Sequence, residues 1–109
     1  KNGKIIEIGR KTKKFDDING QYIGLMKFSR KGINDLVNVF HKSKLLEKIQ
    51  GKKIENAFMT DLLQTTIDEG ISVWPVFTNG KWVEVDTVKD LSLEVTRDRI
   101  SYISRKKKL

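Results

Sequence analysis

Apolar positions along this chain recur with two periods, and the switches between them mark out the elements. Lys4 to Ile8 (KIIEI) is a short β-rich run after the turn dipeptide Asn2-Gly3, and it reads as the second arm of a hairpin. The first arm of that hairpin is expected to precede the chain. Gly9 to Asn19 is polar and basic, with only Phe15 and Ile18 as anchors. Gln21 to Phe28 (QYIGLMKF) is almost continuously apolar, which predicts a strand covered on both faces. Gly24 inside it marks a bulge or a close approach of another backbone or a ligand.

The period then lengthens. Ser29 is a good N-cap, and Ile33, Leu36, Val37 and Phe40 follow at helical spacing, so that face is expected in the core. Leu45, Leu46 and Ile49 continue the pattern after an expected break near Ser43. Gln50 to Asn56 reads as a polar loop. A second helix is predicted from about Ala57 to Glu69, with Phe58, Leu62, Leu63 and Ile67 inward and Gly70 as its stop. Ile71 to Phe77 is the next strand, held to an edge or a bulge by Pro75, and Asn79-Gly80 turns the chain into Lys81 to Asp86. A last helix is predicted from about Val88 to Tyr102, burying Leu91, Val95 and Ile100. Strands mixed with helices and one hairpin make an α/β domain with a partly antiparallel sheet.

The stretch with the most chemistry in it is Trp82 to Leu91 (WVEVDTVKDL). In an extended chain Trp82, Glu84 and Asp86 share one face and Val83 and Val85 the other. Thr87 can cap the helix that follows, with Asp90 completing a capping box. Paired carboxylates where a strand runs into a helix lie where open α/β sheets bind ligands, and hard cations such as Mg²⁺ take that oxygen chemistry. The plainer alternative is a solvated acidic edge. The single His41 has no partner at triad or metal spacing, and there is neither a nucleophile elbow nor a phosphate-binding glycine loop. Asp61 sits in the first turn of the second helix, where the helix dipole alone favours an acid. Trp74 and Trp82 either cover the sheet or offer a ring to a cationic head group.

Composition narrows the class. The chain has 109 residues, 38% hydrophobic and 33% charged, enough for one domain, residues 1–109, with a basic tail at 103–109. It has no Cys, which excludes disulfides and thiolate metal sites and is compatible with a cytoplasmic home. No apolar run reaches the about 18 residues of a membrane span. The absence of an initiator Met and of a signal region makes the chain look like part of a longer protein. The net charge of +8 is concentrated in Arg10, Lys11, Lys13 and Lys14 and in Arg105 to Lys108. Such surface suits a phosphorylated small molecule, nucleic acid or a membrane. Nucleic acid ranks second, because the aromatics are not interleaved with the basic residues.

Four stretches, in order, resemble the C-terminal half of a nucleotidyltransferase of the phosphocholine cytidylyltransferase group, within the sugar-phosphate nucleotidyltransferases. They are KIIEIGRK at Lys4 to Lys11, GQYIGLMKFS at Gly20 to Ser29, MTDLLQTTIDEGISVWPV at Met59 to Val76, and WVEVDTVKDL. The last is the most specific, being similar to the family's W-x-E-hydrophobic-D-T-x-x-D-L ending. The resemblance implies a half-domain of a Rossmann-like mixed sheet with flanking helices. It implies magnesium-dependent transfer of a nucleotidyl group, with CTP favoured, to a phosphorylated acceptor such as phosphocholine, releasing pyrophosphate and feeding polysaccharide or lipid modification. Glu84 and Asp86 match the family's metal-holding acids. Arg10 or Lys11 falls near its phosphate-contacting lysine, and Tyr22, Gly24 and Asp61 fall where the acceptor pocket is lined, with Trp82 beside the acids. Gln21 departs from the Glu common in the family's G-E-Y-I-G pattern.

The family's glycine-rich nucleotide loop, Pro-Lys and first metal-binding Asp have no counterpart here, so this chain by itself is expected not to catalyse. Rival readings are a sugar-1-phosphate acceptor, a basic binding module for nucleic acid, and a non-catalytic assembly domain. A half-domain also leaves apolar surface that favours self-association.

Overall fold

The computed structural model describes residues 2–105, so Lys1 and residues 106–109 of the expected basic tail lie outside the described residues. The chain divides into two compact units, Lys1–Pro75 and Val76–Leu109.

The first unit is built on two helices, α1 (Arg30–Leu45) and α2 (Met59–Asp68), joined through strands β1 (Lys48–Ile49) and β2 (Lys52–Lys53). Ser29 caps α1, its Oγ accepting from the Gly32 N–H at 3.0 Å. The expected break near Ser43 does not occur, because the Ser43 hydroxyl donates to the Val39 carbonyl at 2.9 Å and is satisfied inside the helix. Leu36, Val39, Ile49 and Leu63 form the buried apolar core where α1, β1 and α2 meet. The buried stripe on α1 is centred on Val39 rather than on the expected Ile33, Val37 and Phe40, each of which stays about 40% exposed. On α2 the buried residues are Leu63, Gln64 and Thr66, while Phe58, expected inward, precedes the helix and is exposed.

Ile49 belongs to a hairpin rather than to the continuation of α1. Gln50 and Gly51 take φ of +47° and +74°, the left-handed pair a type I′ turn requires, and this pairs Lys48 with Lys53 and Ile49 with Lys52. Lysine-rich flanks conceal the hairpin in the sequence, where the same residues read as a loop. The N-terminus of α2 is closed by Asp61, which accepts from the Phe58 N–H at 2.8 Å and from Lys52 Nζ at 2.8 and 2.9 Å. Gly70, with φ +84°, follows the helix as expected.

Residues 5–8 run extended beside α2. The Ile5 N–H donates to the Val73 carbonyl at 2.9 Å, and the Ile8 N–H donates to Gln64 Oε1 at 2.8 Å. Gly9 turns the chain with φ +76°, and a Cβ there would lie 2.7 Å from the Thr60 Cβ.

The sheet differs from expectation. Among the described residues the one β ladder is the β1–β2 hairpin, and Lys4 to Ile8, Gln21 to Phe28, Ile71 to Phe77 and Lys81 to Asp86 form no ladder. The expected mixed sheet is therefore absent, and the observed architecture is helices with a small two-stranded sheet. The physical reason is pairing: a strand persists only where a neighbour exchanges backbone hydrogen bonds with it. Residues 19–28 make no backbone hydrogen bond to another segment among the described residues, and Leu25 in that run is 80% exposed.

In the second unit Thr87 caps α3 (Val88–Ser92) and Asp90 reciprocates, as the capping box predicts. The single expected helix is broken at Leu93, whose ψ of 133° is extended. Its carbonyl then starts α4 (Glu94–Arg105) by accepting from Thr96 and Arg97 N–H. Thr96 is the buried residue of α4, whereas Leu91, Val95 and Ile100, expected inside, are substantially exposed.

Two stability predictions arise from the first unit. The Lys52 hydrogen bond, then the Phe58 N–H, holds the Asp61 carboxyl below its ordinary value of 3.8. A depressed folded-state pKa contributes stability that is complete above the unfolded value and is lost as pH falls through the folded one. Asp61→Asn should therefore cost about 1 kcal/mol at pH 7. In denaturant titrations that difference from the parent should shrink below about pH 4. A gap that stayed constant down to pH 2 would refute the ionic contribution. Gly9→Ala should destabilise by more than the roughly 1–2 kcal/mol of a left-handed Ala alone. Gly51→Ala, where nothing lies within 4 Å, should cost only that backbone term. Equal midpoints for the two variants would remove the Thr60 contact from the account.

Candidate metal and substrate site

The acidic pair lies in the second unit, on the extended run before α3. Glu84 and Asp86 are exposed, and neither carboxylate makes a hydrogen bond or an ion pair with the described residues. Asp90 is different. Its Oδ2 accepts from the Thr87 N–H at 2.7 Å, the Thr87 hydroxyl at 2.8 Å and the Asp86 N–H at 3.2 Å. The Thr87 hydroxyl first, then the backbone N–H groups, lowers the Asp90 pKa from its usual value. Asp90 thus spends its oxygens on the cap, and Glu84 and Asp86 keep theirs.

Two free carboxylates are chemically suited to a hard divalent ion, which takes one or two protein carboxylates and fills its shell with phosphates and water. No group of three or more His, Cys, Asp or Glu side chains among the described residues forms a self-sufficient metal cage. A hard divalent ion held by this pair would need a substrate's phosphates and water to complete its shell. Val83 is half-buried and Val85 is exposed, so the burial alternation expected for this run is incomplete. Trp82 is half-buried, and the Arg99 guanidinium lies over its ring, 5.7 Å from the centroid. That face already carries a cation.

The remaining candidates lie in the first unit. Arg10 is exposed, 4.0 Å from Glu7 in a loose ion pair, and Lys11 beside it is exposed as well. Tyr22 is 37% exposed. Gly24 has φ +82° with nothing within 4 Å of a Cβ position, so its backbone conformation, not a close approach, calls for glycine. Asp61 is engaged by Lys52 and Phe58 as the helix-terminus reading expects. The Lys4 ammonium lies 5.3 Å from the Trp74 centroid, a second ring faced by a cation. His41 lines an open groove of about 420 Å³ along α1, next to the Lys42–Glu69 ion pair at 2.7 Å.

A polar cluster absent from the sequence reading joins residues 6–8 and Gln50 to α2. Gln64, only 4% exposed, donates through Nε2 to Asp68 Oδ1 at 2.9 Å and to the Ile6 carbonyl at 3.3 Å. Gln50 donates to Asp68 Oδ2 at 2.8 Å and to the Thr65 hydroxyl at 3.0 Å. Hydrogen bonds from Gln64 and then Gln50 lower the Asp68 pKa, with a smaller contribution from the Arg10 charge. A polar residue at an inward helical position, as Gln64 is, was the available signal.

No family model matches the chain, and no solved structure matches it. The chain is 33% identical over 96 residues to the CTP:phosphoglutamine cytidylyltransferase of Campylobacter jejuni subsp. jejuni serotype O:2 (strain ATCC 700819 / NCTC 11168). The match covers 88% of this chain but 38% of that protein, so the chain spans well under half the length of the curated relative it matches. Over most of its length the chain is thus related to the cytidylyltransferase-type nucleotidyltransferases, the family its motifs resemble.

Proposed function

We propose that this chain is the acceptor-side, C-terminal part of a cytidylyltransferase that moves a cytidylyl group from CTP to a phosphorylated small molecule and releases pyrophosphate. The observation that carries this reading is the 33% identity over 96 residues to an enzyme named for that chemistry. Glu84 and Asp86 are the residues that would hold Mg²⁺, which when bound neutralises nucleotide phosphates and orients them. The protein's own part in such a transfer is positioning and charge neutralisation, so the want of a nucleophilic Ser, Cys or His is no obstacle. Arg10 and Lys11 supply positive charge toward the acceptor phosphate, with Tyr22 and Gly24 on the acceptor side.

The full-length fold in this reading is a Rossmann-like sheet. The further strands and the glycine-rich nucleotide loop that such a fold needs would belong to the part of the relative's length that this chain does not span, and would cover the exposed apolar run at Leu25, Met26 and Phe28. Phosphoglutamine is the acceptor class we favour over phosphocholine. The relative is named for it, and the Trp74 and Trp82 rings are faced by Lys4 and Arg99. Rings already faced by cations are poor hosts for a trimethylammonium group. Sugar 1-phosphates remain the second acceptor class.

The test uses the full-length protein containing this chain, with CTP, Mg²⁺ and, in turn, phosphoglutamine, phosphocholine and glucose 1-phosphate. Pyrophosphate release with the first acceptor is expected, and EDTA should abolish it. Asp86→Ala should lower kcat by about 10²-fold or more with an unchanged circular dichroism spectrum. Turnover that survives both EDTA and Asp86→Ala would defeat the metal assignment, and no release with any acceptor would defeat the reaction.

A further inference from the structure

We infer that Gln64 is a positioning residue: its buried carboxamide takes the place of a neighbouring β-strand along Ile6 to Ile8 and so fixes where Arg10 presents its guanidinium to a phosphate. The inference rests on the proposed function for the phosphate-binding role of Arg10 and adds Gln64 as the group that aims it.

In an extended chain the carbonyl of one residue and the N–H two residues on lie along the same edge, which is how a ladder partner finds alternating acceptor and donor. A glutamine side chain carries both functions on one planar group. Gln64 uses them that way, accepting from the Ile8 N–H at 2.8 Å and donating to the Ile6 carbonyl at 3.3 Å. Its other N–H goes to Asp68 at 2.9 Å, so the amide has one orientation that satisfies every partner. The opposite edge is tied by Ile5 to Val73 at 2.9 Å. Gly9 then passes Thr60 too closely for any side chain, and Arg10 follows within range of the Asp68 charge. The backbone leading to Arg10 is held from two edges and by one steric stop. Among the described residues, Gln64 is the one side chain bonded to that backbone at both Ile6 and Ile8.

The measurement is binding of inorganic phosphate to the full-length protein by isothermal titration, for Gln64→Met, Arg10→Ala and the double variant. Each single change should weaken binding about tenfold, the size expected for one hydrogen bond to a charged group. The double variant should be no weaker than Arg10→Ala, because Gln64 acts through Arg10. Exchange of the Ile8 amide should quicken by about tenfold in Gln64→Met and stay unchanged in Arg10→Ala. Should Gln64→Met fail to fold, Gln64→Glu keeps the acceptor for Ile8 while setting a carboxylate against Asp68. Its affinity relative to the parent should recover as pH is lowered and the new carboxyl protonates. Parental affinity in both Gln64 variants, or losses that multiply in the double variant, would overturn the inference. Phosphate binding that depends on Arg10 and Gln64 without any cytidylyl transfer would sink the proposed function alone. Transfer by Gln64→Met at the parental KM would sink this inference alone.

Discussion

An extended backbone presents the donor and acceptor of alternate residues along each of its two edges, and this chain's structure is largely a record of where those groups find partners. Helices α1, α2 and α4 answer the question internally. The β1–β2 hairpin answers it with a two-residue turn. Residues 5–8 answer it by an unusual route, with Val73 on one edge and the Gln64 carboxamide on the other. Gln64 is consequently buried in α2 next to Leu63, at a position where a helix facing a core would ordinarily carry an apolar residue. Burying an amide without partners would be costly, and here every partner is present.

That constraint also explains which elements could be read from the residues alone. Ser29, Gly70 and the Thr87–Asp90 pair act within a few residues of themselves, so their caps and stops appear where the local chemistry puts them. Strand runs such as QYIGLMKF have the composition of strands, but a ladder needs a second segment, which local composition does not supply. The Gln50-Gly51 hairpin shows the converse error. Its residues look like a loop, and it forms because a left-handed pair closes the turn and Ile49 has a core to enter. Leu93 breaks the last helix for a reason of the same kind, its carbonyl being used to start α4.

The candidate site was legible to the extent that its chemistry is local. Glu84 and Asp86 stand out in sequence as a spaced acidic pair. In the structure they differ from Asp61, Asp68 and Asp90 in having carboxylates without partners among the described residues. The three engaged acids are held ionised by the groups that bond to them, so they act as struts. The role of Gln64 was not legible, because its partners lie 56 and 58 residues away in the chain.

The sorting of charges within each unit bears on what kind of acceptor the proposed reading favours. Lys52 is matched by Asp61 and Lys42 by Glu69, and both tryptophan rings are faced by cations. Arg10 is held only loosely by Glu7, at 4.0 Å, and stands at the end of the most firmly anchored extended run. A guanidinium that is exposed, lightly paired and carried on a fixed backbone loses little on meeting an anion, since neither a strong ion pair nor a mobile loop has to be given up. In the proposed reading, that guanidinium is the group an acceptor's phosphate would meet. A quaternary ammonium would meet rings already engaged. In the proposed reading the acceptor preference is therefore set by which cations the fold leaves lightly paired, as much as by the shape of any pocket.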